Sequence, residues 1–219
     1  MKGEGFMSNH HVIITIGRQF GSGGHEIGVK LAKKLNIPFH DKDMIDMAAE
    51  KLNISLKAAK EADEADIDRF LAYYAITPIS YSSSYTADDF PPPISDRIFR
   101  AETEIIKKFA ERSSCVIVGR CADDILKDEP GLISVFIAAD KRDRIRRIAE
   151  KYHLSDHKAS ERIKKVERER SYYYERHTGK SWGDAASYQI VLNSGRLGID
   201  KTIELLAGAY AARKAKLED

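Results

Sequence analysis

An apolar, largely β-branched run, His11–Gly17, leads straight into four glycines within eight positions, Gly17 to Gly24, and then into a helical pattern. That order builds a phosphate cradle. A buried strand fixes the loop, glycines let backbone N–H groups turn inward, and the helix N-terminus adds partial positive charge. The helix is read from Ile27, Leu31 and Leu35 at i, i+4 and i+8, with Lys30, Lys33 and Lys34 on the other face. Binding of a nucleotide or another phosphorylated molecule is the expectation, with a purely structural tight turn as the alternative.

Two kinds of phosphate loop compete for this stretch. The dinucleotide fingerprint G-x-G-x-x-G needs a small sixth residue, and Gly21-Ser-Gly23-Gly-His-Glu26 offers glutamate there. Asp41, about 20 residues on, stands where a ribose-binding acid would sit and speaks for that reading. The mononucleotide loop G-x-x-x-x-G-K-[ST] matches Gly21-Ser22-Gly23 in its second half, but Gly24 takes the lysine place and His25 the hydroxyl place. Gly17, Gly21, Ser22, Gly23, Gly24 and His25 form the candidate phosphate-binding set. Arg18, with a permanent charge and a planar fork, is the candidate replacement for lysine. Ser22 is a candidate magnesium hydroxyl.

Short apolar runs alternate with helical patterns along the rest of the chain. Strands are expected at His11–Gly17, Ile37–His40, Cys115–Gly119, Ile133–Ala138 and Tyr188–Leu192. Helices are expected near His25–Leu35, Lys42–Leu52, Asp96–Arg112, Cys121–Lys127, Lys141–Tyr152 and Ile199–Lys214. Strands apolar throughout and separated by helices call for a parallel sheet covered on both faces. The fold class is therefore α/β, a three-layer sandwich around a five-stranded parallel sheet. Residues 1–9 read as a disordered leader and 10–219 as a single domain, a size that suits one substantial core.

Two segments break the alternation. One, about 55–95, carries a charged helical stretch, then Tyr73-Tyr74, Tyr81, Tyr85, Phe90 and three prolines. The other, about 141–180, is rich in arginine and ends on Tyr172-Tyr-Tyr174. Both read as excursions over the strand ends, where α/β sheets bind ligands. Arg120, just past the third strand, and Asp41, just past the second, share that location. Asp41 has two readings, a ligand contact or a cap for the helix that follows.

The arginines between Lys141 and Arg176 have a plain alternative as a solvated face, given the interleaved glutamates. Taken together they suit a hairpin that closes over phosphates, because phosphoryl transfer needs positive charge more than covalent help from the protein. Ser155 reads as a helix N-cap separating His153 from His157, which argues against a metal site. Trp182 reads as a packing anchor. The net charge of +2 recommends no nucleic acid partner, no apolar run reaches membrane-span length, and Cys115 and Cys121 fit a reducing cytoplasm.

With these pieces in hand, the chain resembles the cytidylate kinase-like group of the P-loop nucleoside monophosphate kinases. The resemblance runs from Ile14 through Gly28, over Phe39-His-Asp41, Val116-Ile-Val-Gly-Arg120 and Val135-Phe-Ile-Ala-Ala, to the Arg144–Arg170 stretch and Tyr188-Gln-Ile-Val-Leu-Asn-Ser194. It implies an acceptor-binding insert, a helical lid, and transfer of the γ-phosphoryl of ATP to CMP or dCMP with magnesium. On that basis Arg18, Arg144, Arg147, Arg168 and Arg170 are the expected catalytic set. Asp41, Lys42, Arg100 and Arg120 are the expected acceptor contacts. The chain departs from the pattern at Gly24 and His25, at Cys121 in place of an aspartate after Gly-Arg, and in lacking an arginine in the helix after Asp41. A kinase of another small metabolite and a non-catalytic nucleotide-binding protein are the competing functions.

Overall fold

A computed structural model describes residues 11–41, 43–59 and 93–219. The expected leader, Lys42 and most of the 55–95 insert lie outside the described residues. The chain divides into two units, Met1–Asp41 with Ile106–Asp219, and Lys42–Ile105.

The larger unit is built on five parallel strands: β1 (Ile13–Arg18), β2 (Phe39–His40), β3 (Cys115–Val118), β4 (Leu132–Ala138) and β5 (Ile190–Asn193). Their order in the sheet is β2-β3-β1-β4-β5, so the strand that feeds the glycine loop lies at the centre. β1 pairs with β3 from Ile13 opposite Cys115, and with β4 through to Arg18 opposite Ile137. The expected five-stranded parallel sheet is present, and its P-loop position is central. Strand limits differ by no more than two residues from expectation. Tyr188, expected to open β5, precedes it and is buried as a side chain.

One face of the sheet is covered by α1 (Gly24–Leu35) and α8 (Ile199–Glu218). Ile14, Ile16, Val116, Val118, Val135 and Ile137 pack there with Ile27, Leu31, Ile203 and Leu206. Full burial on both sides is why these strands read as continuous apolar runs and not as alternation. The alternate residues Thr15, Gly17, Ser134 and Phe136 therefore face the other way. The short α4 (Ala122–Ile125) contacts β1 and β4, with Ala122 and Leu126 buried. α1 ends because Asn36 takes a left-handed conformation (φ 53°) and the Ile37 N–H returns to the Ala32 carbonyl.

The arginine-rich segment forms a hairpin of α5 (Lys141–Tyr152) and α6 (Asp156–Thr178). Left-handed His153 stops α5, and the Ser155 hydroxyl accepts the Lys158 N–H to start α6. The expected cap is there. Ile148, Ala159 and Ile163 give the hairpin its own small core, with Phe20 and Tyr152 against it. α7 (Ser194–Leu197) follows β5.

The smaller unit contains α2 (Asp43–Lys51), with Met44, Ile45, Ala48 and Ala49 buried, and the first part of α3 (Ile94–Arg112). Lys51 of α2 pairs with Glu104 of α3. Arg100 is exposed on α3. Beyond Ile105, α3 belongs to the larger unit, where the Phe109 ring stacks on His40 at 3.6 Å.

Ile14, fully buried at the centre of the sheet, carries a direct test of this core. Ile14→Ala should cost about 2–5 kcal/mol through lost burial and an incompletely collapsed cavity. The expected reading is a lower urea midpoint at unchanged slope.

Candidate active site

β1 leaves the sheet at Arg18, and the loop that follows is held from several directions. The Gln19 N–H donates to the Ile137 carbonyl at 3.0 Å, and the Gln19 side-chain oxygen accepts the Ala139 N–H at 3.0 Å. The loop is therefore pinned to the end of β4. Gly21 and Gly23 sit at φ 87° and 82°, a region that side chains disfavour. The Ser194 hydroxyl lies 2.5 Å from the Ser22 carbonyl and 3.1 Å from that of Ala138, so the start of α7 fastens the turn as well. No side chain caps the N-terminus of α1. Its first-turn N–H groups are the kind of donors that bind an anion. Five of the six residues expected to bind phosphate, Gly21 to His25, thus form one turn and one helix start, whereas Gly17 lies within β1, where a built Cβ would meet Phe136 and Tyr188. Ser22 differs in its hydroxyl, which is buried and donates to the Gln19 carbonyl at 2.9 Å.

The arginine side chains separate into different roles. Arg18 runs across Gly24: a Cβ built on Gly24 would lie 2.5 Å from the Arg18 Cβ. Its guanidinium reaches Gly119 at the end of β3, where a built Cβ would lie 2.3 Å from Nη1. Its Nη2 is 3.5 Å from Asp41, and its Nε is buried with no hydrogen-bond partner. Burial works against the charged form of Arg18, Asp41 opposes that effect and Arg120 reinforces it. Arg170, from α6, donates to the Arg18 carbonyl at 2.8 Å and lies over the Phe20 ring. Burial, and then the nearby Arg18 charge, pull Arg170 down to about 9, still cationic at neutral pH.

Arg147 donates to Glu26 at 3.1 Å and passes beside Gly23. Arg144 is buried among the Ala139 carbonyl (3.0 Å), the Phe20 carbonyl (3.4 Å) and Glu167 (2.5 Å). It ties α5, α6 and the loop together. Arg168 is exposed. Two positions from Arg170 is about 200° around a helix, so the two side chains leave opposite sides of α6.

Of the expected acceptor contacts, Asp41 and Arg120 are in this group. Asp41 accepts from or pairs with His25 Nδ1 at 2.7 Å, besides its link to Arg18. Arg120 stands in a left-handed conformation (φ 56°) with its guanidinium over the Tyr173 ring at 5.4 Å. Arg18, His25, Asp41, Arg120 and Arg170 therefore collect at the C-terminal ends of β1, β2 and β3, the usual ligand end of such sheets.

A second cluster was not anticipated. Asp123, half-buried, accepts the Tyr174 hydroxyl at 2.7 Å, and the Tyr174 ring stacks towards Tyr188 at 6.4 Å. Burial raises the Asp123 carboxyl, with the Tyr174 hydrogen bond opposing. Burial and Asp123 together raise both tyrosines. Trp182 packs edge-on to Phe136 at 5.5 Å, the anchor role expected of it. Tyr174 is one of three consecutive tyrosines, and nothing in that spacing marks which of them turns inward.

A family model for the cytidylate kinase-like family matches residues 13–196. The chain belongs to that family. An uncharacterized protein from Eubacterium ventriosum ATCC 27560 is 30% identical in its crystal structure, with a TM-score of 0.69 over 92% of this chain and 99% of that one. Shikimate kinase from Bacteroides thetaiotaomicron is 16% identical, with a TM-score of 0.50 over 90% of this chain and 97% of that one. TT1252 from Thermus thermophilus is 17% identical at the same TM-score, over 93% and 97%. At such identities the latter two establish the fold alone, that of the P-loop kinases. No curated protein sequence matches this chain.

The Asp123 site predicts a sign for pH dependence. A carboxyl raised in the folded state contributes stability below its ordinary range and loses it as pH climbs through the folded value. Asp123→Asn keeps an acceptor for Tyr174 and removes the titration. The stability of the variant relative to the native chain should therefore rise between about pH 4 and pH 7. Urea unfolding across that range reads it directly, and a flat difference would contradict the burial argument.

Proposed function

We propose that this chain is a small-molecule kinase that transfers the γ-phosphoryl of ATP, with CMP or dCMP as the acceptors to test first. The observation that carries the reading is the Arg18 side chain lying across Gly24, the position at which a P-loop has its lysine. The stem passes the loop there and carries its guanidinium on to Gly119 and Asp41, so a cation remains at the strand ends although the lysine is absent. Supporting it are the uncapped start of α1, the left-handed glycines, and Arg147 beside Gly23.

In this reading the amides of Gly21–His25 hold the phosphate chain. Arg18, Arg147 and Arg170 supply charge around the transferring group, where stabilisation is most useful in phosphoryl transfer. The bond from the γ-phosphorus to the β-γ bridging oxygen breaks with its electron pair leaving on ADP, and a bond to the acceptor oxygen forms. Arg144 serves by holding the hairpin and loop together. Magnesium enters with the nucleotide and supplies further charge neutralisation; no protein ligand for it is assigned. Arg120 is the acceptor contact on the β3 side, with Lys42 and Arg100 proposed from the other unit. The α5–α6 hairpin acts as the lid and the 55–95 stretch as the acceptor insert. The substrates are small molecules and the compartment the cytoplasm. Among the described residues no helix is long and apolar enough to cross a membrane.

A second reading, a kinase of a different small metabolite, draws on the family's breadth of fold and on the missing arginine after Asp41. A phosphorylation screen over nucleotides, nucleosides and sugars separates the two. ATP binding with no turnover on any acceptor would count against both.

Arg18→Ala should lower turnover about 100-fold or more, as loss of one preorganised charge contact does. The Michaelis constant of the acceptor should change less than about threefold, since uniform binding is not what is removed. Arg168→Ala should leave both close to native. Equal losses in turnover and acceptor binding at Arg18 would assign it a different role.

A further inference from the structure

Asp41 occupies an unusual electrostatic position. Its carboxylate is 11% exposed, lies 3.5 Å from Arg18 through Oδ1 and contacts His25 Nδ1 at 2.7 Å through Oδ2. The Arg18 side chain is itself 19% exposed. Its guanidinium lies against Gly119, the residue before Arg120, and Arg170 donates to its carbonyl. Three guanidinium groups and an imidazole therefore share the strand ends with this carboxylate. Asp41 opposes the depression of both Arg18 and Arg170, while Arg120 depresses Arg18. Glu167 and Glu169 offset part of the Arg170 charge from α6. One Asp41 carboxylate oxygen is directed to Arg18, a cation that the reading above assigns to phosphate, and the other to the His25 imidazole.

We propose that Asp41 is a resident counterion of this arginine group, a positioning residue that stands in for ligand phosphate in the free protein, and not an acceptor contact. The proposal rests on the nucleotide reading given above. A buried cation left without its partner is costly, so the free protein needs the carboxylate. A polyanion arriving at the same cations meets it as a like charge, and affinity is reduced by its presence. Stability and anion affinity are thus set against one another at one residue, as functional sites often require.

The test is Asp41→Asn, measured by thermal unfolding without ligand and by calorimetric titration with AMP-PNP. The variant should melt at a lower temperature yet bind AMP-PNP about three- to tenfold more tightly at low ionic strength. Asp41→Glu, which keeps the charge, should stay near native in both measurements. His25→Ala should not reproduce the gain, which assigns it to the arginines. A merely structural residue would weaken stability and binding together, so equal or weaker AMP-PNP binding by Asp41→Asn overturns the proposal. If that variant does not fold alone, inorganic pyrophosphate in the refolding buffer should rescue it, and failure of rescue overturns the proposal as well. A native chain that binds no AMP-PNP removes the nucleotide reading and this inference together. A native chain that binds, without a gain in Asp41→Asn, removes this inference alone.

Discussion

Everything at the ligand end of the sheet depends on the Arg18 stem lying against the Cα of Gly24. Any side chain at residue 24 would collide with that stem, and any side chain at residue 119 would collide with the guanidinium. Arginine at 18 and glycine at 24 therefore go together, because the stem fills the space of a Cβ, whereas at Gly119 the neighbour is the movable head group and the positive φ of 82° is what favours glycine. The P-loop lysine is not simply lost in this chain. The stem of Arg18 passes its position, and that residue's head group is more planar and more weakly hydrated than an ammonium. The change brings the charge across to β3, where Asp41 and Arg120 are.

Much of the fold was legible because the central strands are buried on both faces. Ile13–Ile16, Cys115–Val118 and Leu132–Ile137 are apolar except for the buried Thr15 and Ser134, and that pattern has few alternatives in a chain with helical periods between the runs. Local capping was legible for the same reason that it works: Ser155 closes the α6 N-terminus with its own hydroxyl. The glycine turn was legible because Gly21 and Gly23 take the positive φ that glycine admits without strain.

The roles of individual arginines were not legible. Arg144 and Arg147 lie one turn apart on α5, yet one is buried against carbonyls and Glu167 while the other pairs with Glu26 near the loop. Arg168 and Arg170 share α6 and differ by which side faces the loop. Composition cannot separate these cases, since each is decided by how the hairpin docks on residues more than a hundred positions away. The Asp123–Tyr174 contact was hidden for a similar reason, since its partners lie 51 positions apart. Its burial comes from α6 folding back over the β3–α4 turn, with Lys180 on Asp124 beside it.

The Ser194 hydroxyl, which bridges the carbonyls of Ser22 and Ala138, has a consequence for biosynthesis. The first strand emerges from the ribosome early, but both of its sheet neighbours, and the serine that fastens the turn after it, are translated much later. A nascent chain therefore lacks the last fastening of its glycine turn until nearly the whole protein has been made. Truncation before Ser194 leaves that turn with its Gln19 links to β4 and without the hydroxyl that joins the Ser22 and Ala138 carbonyls.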